Sequence, residues 1–162
     1  MNIVGARIDG RLVHGQVANL WTPKLQVDRI IVVDEKAATD DIQKSGLRMA
    51  TPMTTRLSVL PAKIAADHIN KDRYGNQRLF IVAKRPDEYL NLLNLGVKLD
   101  TINVGTMSQS DGCTAITKQI NVQPEDVENF KKIADMGVNI TAQLTPSDDS
   151  HDFMKLLNDK IK

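Results

Sequence analysis

The sequence predicts a single α/β domain spanning residues 1–162, a mainly parallel seven-stranded sheet with helices on both faces. Three observations predict it. Strand-length apolar runs alternate with amphipathic helical stretches along the whole chain. Several runs, such as Ile30-Ile31-Val32-Val33, are continuous in Ile and Val rather than alternating, as parallel strands buried on both faces require. Pro61, Pro86 and Pro124 each stand where a helix would begin, a position at which the missing N–H costs nothing.

In chain order, the strands are expected at Ile3 to Ile8, Arg29 to Val33, Arg56 to Leu60, Leu79 to Ala83, Thr101 to Val104, Ile116 to Val122 and Val138 to Leu144. A helix after the first strand would carry Val13, Val17, Leu20 and Trp21 toward the sheet. Asp40 is placed to cap a helix running to Ala50. After Pro124, Val127, Phe130, Ile133, Ala134 and Met136 fall mainly along one stripe, and Gly137 ends that helix. Phe153, Leu156, Leu157 and Ile161 mark one more amphipathic helix, Asp152 to Ile161.

Composition narrows the function classes. Hydrophobic residues make up 41% and charged residues 25%, the balance of a folded chain. A net charge of +1 with no basic stripe argues against a nucleic-acid partner. Cys113 is the one cysteine, so neither an intrachain disulfide nor a thiolate cluster can form. No signal-peptide pattern opens the chain, and the apolar runs fall far short of the ~20 residues a membrane span needs. A cytoplasmic protein is expected.

In open α/β sheets, ligands sit where strands run into helices. The first such turn reads Arg7-Ile8-Asp9-Gly10-Arg11-Leu12-Val13-His14-Gly15-Gln16. Gly10 and Gly15 let a ligand approach the main chain, a helix N-terminus favours an anion, and Arg7 and Arg11 suit phosphate oxygens. His14 adds a nucleophile, since imidazole attacks when neutral, and positive surroundings favour the free base. Asp9 would either orient Arg11 or accept a hydrogen bond from the ring and so fix its tautomer. Arg11 would stabilise the charge of a phosphoryl group in transit. A carrier working this way needs an exposed histidine on a shallow surface.

The segment from Ala6 to Val17 resembles the active-site motif of the IIB components of the mannose/fructose/sorbose family of bacterial sugar phosphotransferase systems. The resemblance continues through Arg29 to Asp34, Ile102 to Ser108 and Val122 to Val127. It implies that His14 is phosphorylated, at Nδ1, with Asp9 and Arg11 as its catalytic companions. It also implies a IIA component as donor, membrane IIC and IID components as the next partners, and a sugar as final acceptor. The protein would then associate peripherally with those membrane components. Thr106 stands where that family often has a second glycine, and Gly5 where a larger apolar residue is common. The resemblance makes Asn103 to Ser108 a rim of the site.

No cofactor and no metal site are expected. His68 sits on the polar side of a helix as a solvated residue, and His151 lies among acidic residues near the start of the last helix. Cys113 has no visible catalytic partner, and Trp21 either packs in the core or forms an apolar rim. The competing reading is a non-catalytic phosphate or nucleotide module, which the absence of Walker and Gly-x-Gly-x-x-Gly motifs weakens.

Overall fold

The computed structural model describes residues 2–161; Met1 and Lys162, the ends of the 1–162 span, lie outside the described residues. Strand β1 is Asn2–Asp9, followed by a π-helical turn, Gln16–Trp21, that runs into the short helix α1, Thr22–Leu25. Next come β2 (Arg29–Val33), α2 (Glu35–Ala38), α3 (Asp41–Ala50), β3 (Arg56–Leu60), α4 (Ala62–Asn70), β4 (Arg78–Ala83) and α5 (Pro86–Asn94). The second half holds β5 (Thr101–Thr106), β6 (Thr114–Ala115), β7 (Asn121–Val122), α6 (Pro124–Asp135), β8 (Asn139–Ala142), β9 (His151–Asp152) and α7 (Phe153–Lys160).

The main sheet has seven strands in the order β3-β2-β4-β1-β5-β8-β9, parallel except for β9, which runs antiparallel to β8. This is the α/β architecture expected. The chain builds outward from β1 on one side through β2 and β3, then crosses over it to β5 and β8. The crevice at the carboxyl end of β1 is therefore the topological switch point, where sheets of this kind place their sites.

Alternation along the strands splits the core in two. Ile31 and Val33 of β2 join Tyr89, Phe130, Ile133, Phe153 and Leu157 on one face. Ile30 and Val32 join Val17, Trp21, Leu47 and Phe80 on the other. The Tyr89 hydroxyl lies 2.8 Å from the Arg7 carbonyl and 2.9 Å from that of Ile81, which ties β1 to its neighbour beneath the site.

Several boundaries match their chemistry. Asp40 accepts from the amides of Ile42 and Gln43 and starts α3 as expected. Pro86 and Pro124 are the first residues of α5 and α6, whereas Pro61 is the cap before α4. Two expectations fail. Ile116 to Val122 is not a strand of the main sheet: the amides of Ile116 and Thr117 both donate to the Ile120 carbonyl, so the chain turns back and leaves the two-stranded β6–β7 pair. Ile116 and Ile120 are both buried, which gave the segment its strand-like pattern, but Thr117-Lys118-Gln119 between them form the reversal. The seventh strand is instead β9, two polar residues with no apolar signal. Leu20 points outward at 44% exposure rather than toward the sheet, because a π-helical turn rotates successive residues differently from an α-helix.

At the start of α5, burial and the neighbouring Asp87, Asp34 and Glu35 carboxylates push Glu88 from 4.5 up to about 7, against the pull of Asn91. The folded state holds this proton more tightly than the unfolded chain, so stability falls as pH rises from about 4.5 through about 7. Glu88→Gln is expected to flatten that slope and to raise the melting temperature at pH 8; equal slopes for both proteins in thermal melts would contradict this.

Candidate phosphoryl-transfer site

The site is built on the end of β1. Asp9, its last residue, is fully buried, and its carbonyl accepts from the amide of Leu12 to close a tight turn. Leu12 has φ 59, the left-handed region that a non-glycine residue enters at a cost of roughly 1–2 kcal/mol. Its side chain is 3% exposed among the apolar residues of the second core cluster, which hold the strained turn in place.

The Asp9 carboxylate is the hub. Oδ1 accepts from the Arg11 amide at 3.0 Å and from the Thr106 hydroxyl at 3.1 Å. Oδ2 accepts from Arg7 Nε at 3.2 Å and lies 2.9 Å from His14 Nε2. The Nε2 contact has the length of a strong bond, yet the ring N–H does not point along it, so Nε2 is buried without a well-directed partner. Catalytic hydrogen bonds are often misaligned before a ligand arrives. At 2.9 Å the ring nitrogen and the carboxylate are within hydrogen-bond reach. Nδ1, on the other edge of the ring, has no hydrogen-bond partner among the described residues.

His14 is only 9% exposed, less open than the shallow-surface histidine expected. Its sequence neighbours Leu12, Val13 and Val17 are buried in the second core cluster. The main-chain N–H groups of Val13 and His14 meet no acceptor among the described residues, so this turn keeps donors free beside the ring.

The two arginines separate. Arg11 is exposed, and its guanidinium is paired with no acceptor among the described residues. Arg7 is 1% exposed and is spent inside the fold. Nε goes to Asp9, Nη1 to Asn103 Oδ1 at 2.6 Å and the Gln143 carbonyl at 3.1 Å, and Nη2 to the Leu144 carbonyl at 3.0 Å. Its guanidinium also lies 5.2 Å from the Trp21 ring centre, and Trp21 Nε1 donates to the same Leu144 carbonyl. Burial pulls the Arg7 pKa below its ordinary value, while the charge and hydrogen bond of Asp9 oppose that shift. Arg7 is thus a buried counter-ion of Asp9, in place of the expected phosphate contact. The arginine that Asp9 orients through its side chain is Arg7, since Arg11 reaches the carboxylate through its amide alone.

Gly10 has likewise committed its amide to Thr106, to the carbonyl at 3.1 Å and the hydroxyl at 3.2 Å. A Cβ on Gly10 would meet Ser108 Oγ at 2.7 Å, so its smallness serves loop packing. Gly15 is exposed with ordinary helical backbone angles, and a Cβ there would reach only Asn19, at 3.9 Å.

Three partners were hidden from sequence proximity. Thr106, 97 positions from Asp9, binds its carboxylate, and Asn103 holds Arg7 from the same strand. Gly105 is the third: a Cβ there would fall 2.0 Å from Arg7 Nη2, so the guanidinium lies directly over its Cα. Gly105→Ala must expel Arg7 from its acceptors. We expect a loss of about 2–4 kcal/mol in chemical denaturation, the range for breaking a buried polar network; a change under about 0.5 kcal/mol would show that Arg7 does not need this space.

The remaining candidates stay outside the site. His68 is half-buried rather than solvated, with Nδ1 3.0 Å from the Tyr74 hydroxyl. His151 is exposed and pairs with Ala142 in β9. Cys113 Sγ lies 3.2 Å from Ser110 Oγ. Among the described residues no helix is long and apolar enough to cross a membrane.

Residues 3–162 match the family model described as PTS system sorbose subfamily IIB component. The PTS system fructose-specific EIIB component of Bacillus subtilis is 33% identical over 162 residues, covering 100% of this chain and 99% of that protein. The PTS system mannose-specific EIIAB component of Escherichia coli is 32% identical over 153 residues, which are 94% of this chain and 47% of that longer protein. The crystal structure of the IIBSor domain of the sorbose permease from Klebsiella pneumoniae superposes with a TM-score of 0.94 at 28% identity, covering 98% of both chains. A match across almost the whole length, with the sheet and its switch-point histidine turn in place, gives one conclusion: this chain belongs to the sorbose subfamily of IIB components of the sugar phosphotransferase system.

Proposed function

We propose that the chain is a phosphocarrier that accepts a phosphoryl group on Nδ1 of His14 from a phosphohistidine of a IIA component. It passes that group to a sugar held by membrane IIC and IID components, working from the cytoplasmic side without a cofactor. The observation that carries this reading is the burial of Nε2 against Asp9, 2.9 Å away. A carboxylate there favours the tautomer with its proton on Nε2, which leaves the lone pair on Nδ1. As the P–N bond to the donor breaks, Nδ1 forms the new one, and the Asp9 charge offsets the positive charge that spreads through the phosphorylated ring. The free amides of Val13 and His14 and the unpaired guanidinium of Arg11 suit the equatorial oxygens of the group in transit.

Catalysis thus falls to His14, Asp9 and Arg11. Gly15, exposed beside the ring, leaves room for phosphate, while Arg7 and Gly10 act behind the carboxylate. The mannose-specific EIIAB relative, whose name joins A and B components in one protein, fits a IIA partner for this chain.

Incubation with phosphorylated IIA protein tests the proposal. The product should carry about one phosphoryl group per chain, acid-labile and alkali-stable, on the peptide that contains His14. Label on Ser, Thr, Cys113, His68 or His151 would reject it. Arg11→Ala should keep its stability and slow transfer by about 10²–10³, the effect of one lost donor to a charged transition state. Single-turnover transfer at the native rate would remove Arg11 from the mechanism.

A further inference from the structure

Three of the most exposed apolar side chains among the described residues lie on α3 or just after it. Ile42, Met49 and Met53 are 85%, 87% and 103% exposed. Ile42 and Met49 stand about two turns apart on α3 and so share one face, whereas Met53 lies beyond the end of the helix at Ala50, after the extended Thr51. The helix already buries Leu47, so this stripe is not needed for the core. Isolated apolar residues on a surface need no explanation, but an aligned group of them marks a contact surface.

Gly46 lies between the stripe and the site. Helical periodicity places it on the flank shared by Ile42 and Gln43, and a side chain there would meet nothing within 4 Å. Gln43 and Gly46 form one wall of a groove of about 270 Å³ whose opposite wall is the loop from Gly10 to Val13. The groove thus runs from the flank of α3 next to Ile42 to the catalytic loop. The charged residues lining the groove, Arg11 and Lys84, are both cationic. A partner that fits must present an apolar patch with an anionic group beside it.

We propose that this surface docks the protein that delivers the phosphoryl group, with the stripe of Ile42 and Met49 against an apolar patch flanking the partner's phosphohistidine. The proposal rests on the His14 reading above. The stripe supplies contact area that excludes water, and the unbranched Met49 adapts to the partner's contour. The cationic groove receives the dianionic group and brings it toward His14. In the transfer itself the donor's P–N bond breaks as the bond to Nδ1 forms, the electron pair stays on the donor nitrogen, and nothing is oxidised.

The test compares two donors on the double variant Ile42→Ser/Met49→Ser, whose fold is checked by thermal melting. One donor is the phosphorylated IIA protein; the other is phosphoramidate, a small P–N donor that needs no docking surface. The KM for the protein donor should rise about tenfold or more, the loss of a modest interface anchor, with kcat within about twofold. The phosphoramidate rate should not change. An unaltered KM overturns the proposal, and so does a parallel fall in both rates, which would place the stripe in the folding of the site. Loss of binding to anionic phospholipid vesicles at unchanged KM would assign the surface to a membrane and overturn it too. Failure of the His14 reading shows separately, as label on a His14→Gln protein.

Discussion

His14→Gln is expected to fold as the native protein does and to accept no phosphoryl group. Glutamine keeps a polar group beside Asp9, and the site of exchange is a loop residue with no ladder hydrogen bond, so the stability change should stay within about 1 kcal/mol. The chemical loss is complete because nothing nearby replaces the nucleophile. The Thr106 hydroxyl donates to Asp9, His68 rests against Tyr74, and His151 is tied into β9. Labelling with phosphorylated IIA protein, read beside a denaturation curve, separates this outcome from misfolding. Native-level labelling of a folded variant would contradict it.

Asp9→Asn should damage both stability and transfer. Each carboxylate oxygen faces two donor groups, the Arg11 amide and Thr106 hydroxyl on Oδ1, Arg7 Nε and His14 Nε2 on Oδ2. An amide can supply only one oxygen, so either orientation sets an NH₂ against a donor that cannot turn into an acceptor. The Thr106 hydroxyl can rotate, whereas the Arg11 amide and the Arg7 guanidinium cannot. Arg7, at 1% exposure, also loses its compensating charge, which costs about 3–5 kcal/mol when one partner of a buried pair is removed. Transfer should fall by up to about 10⁴, the effect of an amide in place of a carboxylate that holds a catalytic tautomer. The double variant Arg7→Met/Asp9→Asn should recover much of the stability and none of the rate. Recovery of both together would mean that Asp9 acts only through the fold.

Much of this was legible in the sequence because the signals are local. Six of the seven sheet strands are apolar runs of the right length, Asp40 and the prolines at 86 and 124 mark helix starts by their own chemistry, and the crowding of Asp9, Gly10, Arg11 and His14 announces a site. What escaped depends on direction and distance. Arg7 and Arg11 are four positions apart and alike in composition. The first lies on the sheet, pointing into the second face, and the second lies on the exposed turn, which only the fold distinguishes. Thr106, Asn103 and Gly105 were placed at the rim by the resemblance alone; they join the site because β5 pairs with β1, at a separation of about a hundred residues that periodicity cannot bridge. The strand β9 has two polar residues and forms because β8 leaves an open edge. The π-helical turn moved Leu20 outward, since its side chains do not follow the spacing on which the expectation was built.

Everything in the mechanism turns on which ring nitrogen bears the phosphoryl group. Nitrogen-15 NMR of the protein phosphorylated by its IIA donor, with labelled histidine, reads this directly from the shifts and the phosphorus coupling of the His14 ring. Phosphorus bonded to Nδ1, with the proton retained on Nε2 beside Asp9, is the predicted result. Phosphorus on Nε2, or no modification of His14 at all, would contradict the account.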